Sequence, residues 1–267
     1  KGWNLVLVIN FKMIILQHNM KKIVSYLVLF LLVTSCNSED AGDCFQTAGN
    51  IIQEEISLNA FDKILINERV SLVIKEGPSQ KVIIETGKNL LPDVTLEVID
   101  GQLIASDNNK CNFVRDYGLT KVIVTSPNIT EIRNSSEQTV TSDGVLNYPN
   151  IRLLSEDYQS DYLNVGDFNL EVNATSISIT SNGISNFYIT GNTTNLNAFF
   201  AAGDSRLEAQ TLIATNVKFT NKSSNDMLVN PQDKIEGAIY SLGDVIAYNE
   251  PPIVDVVEHY KGKLIFN

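Results

Sequence analysis

Four stretches decide the fold: Ser176-Ile177-Ser178-Ile179-Thr180, Asn195-Leu196-Asn197-Ala198-Phe199, Asn216-Val217-Lys218-Phe219-Thr220 and Lys234-Ile235-Glu236-Gly237. Each holds an apolar position, or a pair of them, followed at a distance of two by its partner, the period-two mark of a strand with one buried face. Counted from Ile151 and Leu153 upstream, the starts lie 26, 19, 21 and 18 residues apart. Spacing near twenty is what a β-solenoid rung gives, because one turn of chain cannot bury its own apolar face and needs a neighbour above and below. A β-sandwich of short strands is the alternative, since the repeat is imperfect.

Working outward, Ile64 and Ile66, Val70, Leu72 and Ile74, Val82 and Ile84, Val94, Leu96 and Val98, and Val122 and Val124 alternate with polar residues. Gly77-Pro78, Gly87, Pro92, Asp100-Gly101, Gly118 and Pro127 punctuate them as turns. Beyond Pro127 the strands are expected to shorten and to open on the apolar pairs, with Asn173, Asn182, Asn192, Asn197 and Asn225 at corners, where Asn tolerates left-handed backbone. Composition agrees: Val and Ile number 51 against only 12 Ala, and Asn, Ser and Thr add 67 of the 267 residues. Such a chain is all-β, and neither a helical bundle nor a disordered polymer.

Formal charge is −11. Residues 1–35 hold four lysines and no acid, so residues 36–267 carry 16 bases against 31 acids, a net −15. That balance repels phosphate backbones and anionic lipid, which argues against a nucleic-acid partner and requires any membrane contact to use an anchor other than charge.

The N-terminus offers such an anchor. Met20-Lys21-Lys22 opens a basic region, Ile23–Val33 is an apolar run too short to span a bilayer, and Thr34-Ser35-Cys36 resembles a lipobox. The expectation is a lipoprotein signal over residues 20–35, lipidation at Cys36 and a polar tether over 36–43. Residues 1–19 read as an upstream extension before the true initiator Met20, and 44–267 as the domain. With Cys36 acylated, Cys44 and Cys111 are left as an even pair in a compartment where disulfides persist. They have no CxxC spacing and only His259 for company, a poor zinc set, so no metal and no cofactor is expected.

Cys44, Thr47-Ala48-Gly49, Glu54-Glu55, Leu58, Phe61-Asp62 and Ile64, then Asp100-Gly101 and Leu103, then Asn109-Lys110-Cys111-Asn112-Phe113-Val114-Arg115 are similar to the head GIN domain family, adhesin-type lipoproteins of Bacteroidota. Gly243-Asp244-Val245, Tyr248, Pro251 and Gly262–Ile265 continue the likeness to the C-terminus. The resemblance implies a right-handed parallel β-helix-like solenoid, a cell-envelope location and no established activity. The family's Gly-Ser-Gly turns stand here as Ser181-Asn182-Gly183, Ala202-Gly203-Asp204 and Ser224-Asn225-Asp226.

No G-x-S-x-G, H-E-x-x-H, P-loop or Rossmann fingerprint occurs, so no catalytic residues are assigned. The longest spacing, 26, falls where Glu156, Asp157, Asp161 and Asp167 interleave with Tyr158, Tyr162 and Phe168. This reads as an inserted loop whose Glu156, Asp157, Tyr158, Asp161 and Tyr162 could bind a ligand, rings stacking on sugars and acids accepting from hydroxyls. The expected function is a non-catalytic, adhesin-like lipoprotein of the outer membrane, anchored by its lipid and binding a glycan or a cell-surface protein. A glycan-binding or polysaccharide-degrading lipoprotein, and a structural or sensing envelope component, are the alternatives.

Overall fold

The computed structural model describes residues 20–26, 44–158, 160 and 162–267. Among them the seventeen strands are β1 (Ile51–Ile56), β2 (Lys63–Ile66), β3 (Val70–Glu76), β4 (Lys81–Gly87), β5 (Val94–Ile99), β6 (Gln102–Asp107), β7 (Thr120–Ser126), β8 (Glu131–Asn134) and β9 (Val140–Leu146). They continue as β10 (Asn150–Ser155), β11 (Phe168–Ser181), β12 (Asn186–Phe200), β13 (Arg206–Asn221), β14 (Met227–Ile239), β15 (Val245–Ala247), β16 (Ile253–Glu258) and β17 (Leu264–Phe266). Sequence alternation becomes burial alternation, most regularly in β6 and β7, where every second residue is buried.

Two parallel ladders organise the strands. In the first, β6 pairs with β2, β2 with β8, β8 with β10, and β10 with the second half of β11. In the other, β7 pairs with β3, β3 with β9, and β9 with the first half of β11. From β11 to β14 single strands of 13 to 16 residues run through both ladders and pair in succession. β16 then extends the first ladder, and β15 followed by β17 the second.

A straight strand of fourteen residues would be about 46 Å long, and the four or five residues joining these strands reach at most about 18 Å. Each strand must therefore bend back towards its own start. The outcome is a strongly curled mixed sheet forming a half-barrel, and the inward residues of both ladders meet in one core. Neighbours from β10 to β14 are parallel, unlike the antiparallel neighbours of a sandwich.

The apolar pairs stack as their spacing requires. Ile151, Ile177, Leu196, Val217 and Ile235 are register partners in turn, as are Leu153, Ile179, Ala198, Phe219 and Gly237. The strands do not shorten past Pro127, however, and the pairs do not open them: they lie in the second halves of β11–β14. The first halves contribute a second column, Phe168, Phe187, Leu207 and Met227, all fully buried, with the Phe168 and Phe187 rings stacked at 4.9 Å. Polar residues at the bend interrupt the alternation between the halves, which hides the continuity of each strand.

The corner asparagines also behave differently from the expectation. Among the described residues only Arg69 and Asp100 are non-glycines with positive φ. Instead, the side-chain amides bond from rung to rung: Asn173 donates to Asn147, Asn192 to Asn173, and Asn216 to Asn195. Equal side chains at register positions stack at the strand spacing, so an amide ladder forms without any left-handed backbone. Gly203 does need its freedom: φ is +81°, and a Cβ there would sit 2.1 Å from the Gly183 carbonyl oxygen.

One end of the stack departs from parallel pairing. β4 pairs antiparallel with β7 and β1 with β4, while β5 folds back on β6 through Asp100-Gly101, whose φ values of 49° and 75° suit a tight hairpin.

Candidate functional site

Where a first-ladder strand ends and its second-ladder successor begins, each rung makes a corner. Pairing order sets the corners 108–119, 67–69, 135–139 and 156–167 side by side, although sequence order scatters them. Between them lies a depression of 320 Å³, whose wall includes Asn67, Arg69, Lys110, Ser135, Ser160 and Tyr162.

Arg69 is the most constrained of these. Its φ of 70° is left-handed, a conformation costing a branched-chain-free residue about 1 kcal/mol. Its amide donates to Glu137 Oε2 at 3.0 Å, and its guanidinium donates to the Asp107 carbonyl oxygen at 3.0 and 2.6 Å and to Glu68 at 2.9 Å. Burial pushes the Glu137 carboxyl upward, but the bonds it accepts from Arg69 and Gln138 prevail and hold it below the usual range. Asp107 is buried and satisfied, accepting from Asn109 on one oxygen and from Thr120 Oγ1 at 2.6 Å on the other. Lys110 is exposed at the rim and makes no ion pair among the described residues.

The inserted connection is where the spacing places it, between β10 and β11, but it is pinned over the corner. Arg133 and Glu156 form a buried ion pair at 2.6 Å, and Arg133 also donates to the Glu156 carbonyl oxygen. The second Glu156 oxygen accepts from the Tyr158 amide at 2.7 Å, and the Tyr162 ring lies over the Arg133 guanidinium at 4.7 Å. Asp157 accepts from Asn182 at 2.6 Å. Tyr158 is exposed, and partial burial, then Glu156 and Asp157, push its phenol upward. Thus Glu156 and Tyr162 are joined through Arg133, Asp157 and Tyr158 occupy the outer side, and Asp161 lies outside the described residues. Of the five, Tyr162 lines the depression.

Sequence reading missed Arg69, Lys110 and Arg133. Arg133 stands in β8 between Ile132 and Asn134, in a stretch whose polar composition gives no sign that its guanidinium is buried. The others meet through strand order. Cys44 and Cys111 form the expected disulfide across 67 residues, and Cys36 lies outside the described residues. His259 stacks on Tyr240 with ring centroids 4.3 Å apart. Among the described residues no group of three His, Cys, Asp or Glu could hold a metal, and no helix is long and apolar enough to cross a membrane.

A ring, a fixed guanidinium, a free ammonium, amides and hydroxyls in one shallow depression can stack on a pyranose face and bond its hydroxyls. The same architecture occurs in solved proteins. An adhesin candidate from Bacteroides fragilis shares 18% identity with a TM-score of 0.74, covering 83% of this chain and 99% of its own. A "putative lipid binding protein" from Parabacteroides distasonis shares 13% with a TM-score of 0.59, covering 82% and 97%. An adhesin candidate from Parabacteroides merdae shares 17% with a TM-score of 0.56, covering 82% and 98%. At such identities the likeness concerns the fold. No curated protein matches the sequence. Residues 60–251 match the family described as "Putative auto-transporter adhesin, head GIN domain", and on that span the chain belongs to this family.

Proposed function

We propose that the protein is a non-catalytic, adhesin-like binding module of the cell envelope, held to the outer membrane by a lipid on Cys36, that takes carbohydrate in the depression beside Tyr162. The observation that carries this reading is the convergence of Tyr162, Arg69 and Lys110 from three different rungs on one 320 Å³ depression. The loop carboxylates fit binding better than acid–base chemistry, because Glu156 is engaged by Arg133 and Asp157 by Asn182. The curled stack is read, at finer grain, as a right-handed parallel β-helix, whose long side suits a polymeric ligand.

A glycan array probed with residues 44–267 tests the reading. Any glycan retained should bind about tenfold more weakly to Lys110→Ala and to Tyr162→Ala, each equivalent to about 1.4 kcal/mol of contact. Equal binding by both variants, with folding intact, removes the depression from the account.

A further inference from the structure

The disulfide loop carries a cluster of side chains that the core does not use. Phe45, Phe113, Val114 and Tyr117 are 58%, 74%, 52% and 76% exposed, and the Phe45 and Phe113 rings touch at 5.8 Å. They are held in place. Cys44–Cys111 ties the two segments, the Phe113 amide donates to the Cys44 carbonyl oxygen, and the Arg115 guanidinium donates to the carbonyl oxygens of Gln46, Asn109 and Cys111. A fixed cluster of exposed rings costs free energy in water, about 1.5–3 kcal/mol per large side chain that could otherwise be buried.

Its place in the stack and in the chain indicates what covers it. The loop joins β6 to β7, the last parallel rung at the end closed by β1, β4 and β5. Cys36 stands eight residues before Cys44, so a lipid on it would lie within about 28 Å of the cluster. Lys88 is exposed at the same end, suited to phosphate oxygens. Two phenyl rings, the phenol of Tyr117 and a flanking lysine match the chemistry of a membrane–water interface.

We propose that Phe45, Phe113, Val114 and Tyr117 form a membrane-contact patch that seats this end of the stack on the bilayer carrying the anchor, so that the axis of the stack points away from the membrane and β16 and β17 form its distal end. The orientation rests on the lipid-anchored reading; the affinity of the patch for a bilayer does not.

The single tryptophan, Trp3, precedes the domain, so Phe113→Trp and Phe199→Trp in residues 37–267 each give one reporter, the second on the outer face of β12. The buried core lies between Phe61 and Ala247, so this piece contains the whole of it. An N-terminal hexahistidine tag holds each variant on phosphatidylcholine vesicles containing a nickel-chelating lipid and brominated acyl chains. The expected result is a blue shift and quenching for Phe113→Trp and neither for Phe199→Trp. In untagged form, partition onto the same vesicles should fall about tenfold on Phe113→Ser. No quenching at position 113, or equal quenching at both, overturns the proposal. So does a concentration-dependent blue shift without lipid, which would mark a self-association face. The tag supplies the tether, so loss of acyl labelling at Cys36 would sink the anchored reading and leave this test standing.

Discussion

The two ends of the sheet solve the same problem by different means. From β8 onward every strand finds a parallel neighbour about one rung away, and burial repeats in columns such as Ile177, Leu196, Val217 and Ile235. The β1–β7 end is mixed: β2 and β3 lie inside the stack, between the later β6–β7 rung and β8–β9, while β1, β4 and β5 cover the outermost edges antiparallel. A repeated rung draws stability from its neighbours, whereas a terminal rung has only one and needs another constraint. Here that constraint is covalent, Cys44–Cys111, together with the Asp107, Thr120 and Thr86 hydrogen-bond chain. The far end has β16 and β17 as its last strands, each paired on one side only.

The largest expected effect falls on the closed end. Replacing both Cys44 and Cys111 with Ser should cost about 4 kcal/mol by loop-closure entropy over 67 residues, read as a lowered denaturation midpoint. Hydrogen exchange should accelerate in β1, β4 and β7 before β12. Uniform acceleration would mean that the two regions unfold as one unit, breaking the comparison.

Next comes the interior of the repeat. Leu196→Ala, in the middle of the column, should cost about 3 kcal/mol, and Phe187→Ala a similar amount, because neighbouring rungs on both sides limit collapse into the void. Ile265→Ala in the exposed last strand should cost under about 1 kcal/mol. Chemical denaturation of the three variants sharpens the contrast, and equal losses would contradict it.

A further substitution addresses the inserted connection. Glu156→Ala removes one partner of the buried Arg133 pair and should cost about 3 kcal/mol, more than a protruding loop could contribute. A change within about 0.5 kcal/mol would show that the pair breaks even.

The smallest effect is electrostatic. Lys121, then Gln53, hold the Glu85 carboxyl of β4 below its usual range. A carboxyl lowered by folding contributes stability that is complete above its unfolded pKa, about 4.3, and is lost as pH falls through the folded value. Because Lys121 and Glu85 are partly solvated, the loss should stay under about 1 kcal/mol. Acid titration below about pH 4 should loosen β1 and β4, and Glu85→Gln should flatten that dependence. An unchanged acid limb in the variant would remove Glu85 from the effect.

Sequence alone determined the all-β class, the alternating faces of β3, β4 and β7, the rung partners from Ile151 to Gly237, the Cys44–Cys111 pair and the position of the inserted connection. These follow from local physics: side chains in a strand alternate with period two, and a stacked repeat must return similar residues at similar spacing. Tertiary structure decided that the β11–β14 pairs are second halves of long bent strands, that Asn173 and its partners bond as a ladder, and that β6–β7 stacks outside β2–β3. It also decided which side chains share a depression. Arg69, Lys110 and Tyr162 lie on three connections separated by dozens of residues, and nothing in their local sequence sets the order of the strands that carry them. That order comes from pairing the strands and burying their inward apolar faces together, a condition on the whole chain that no single stretch of it expresses.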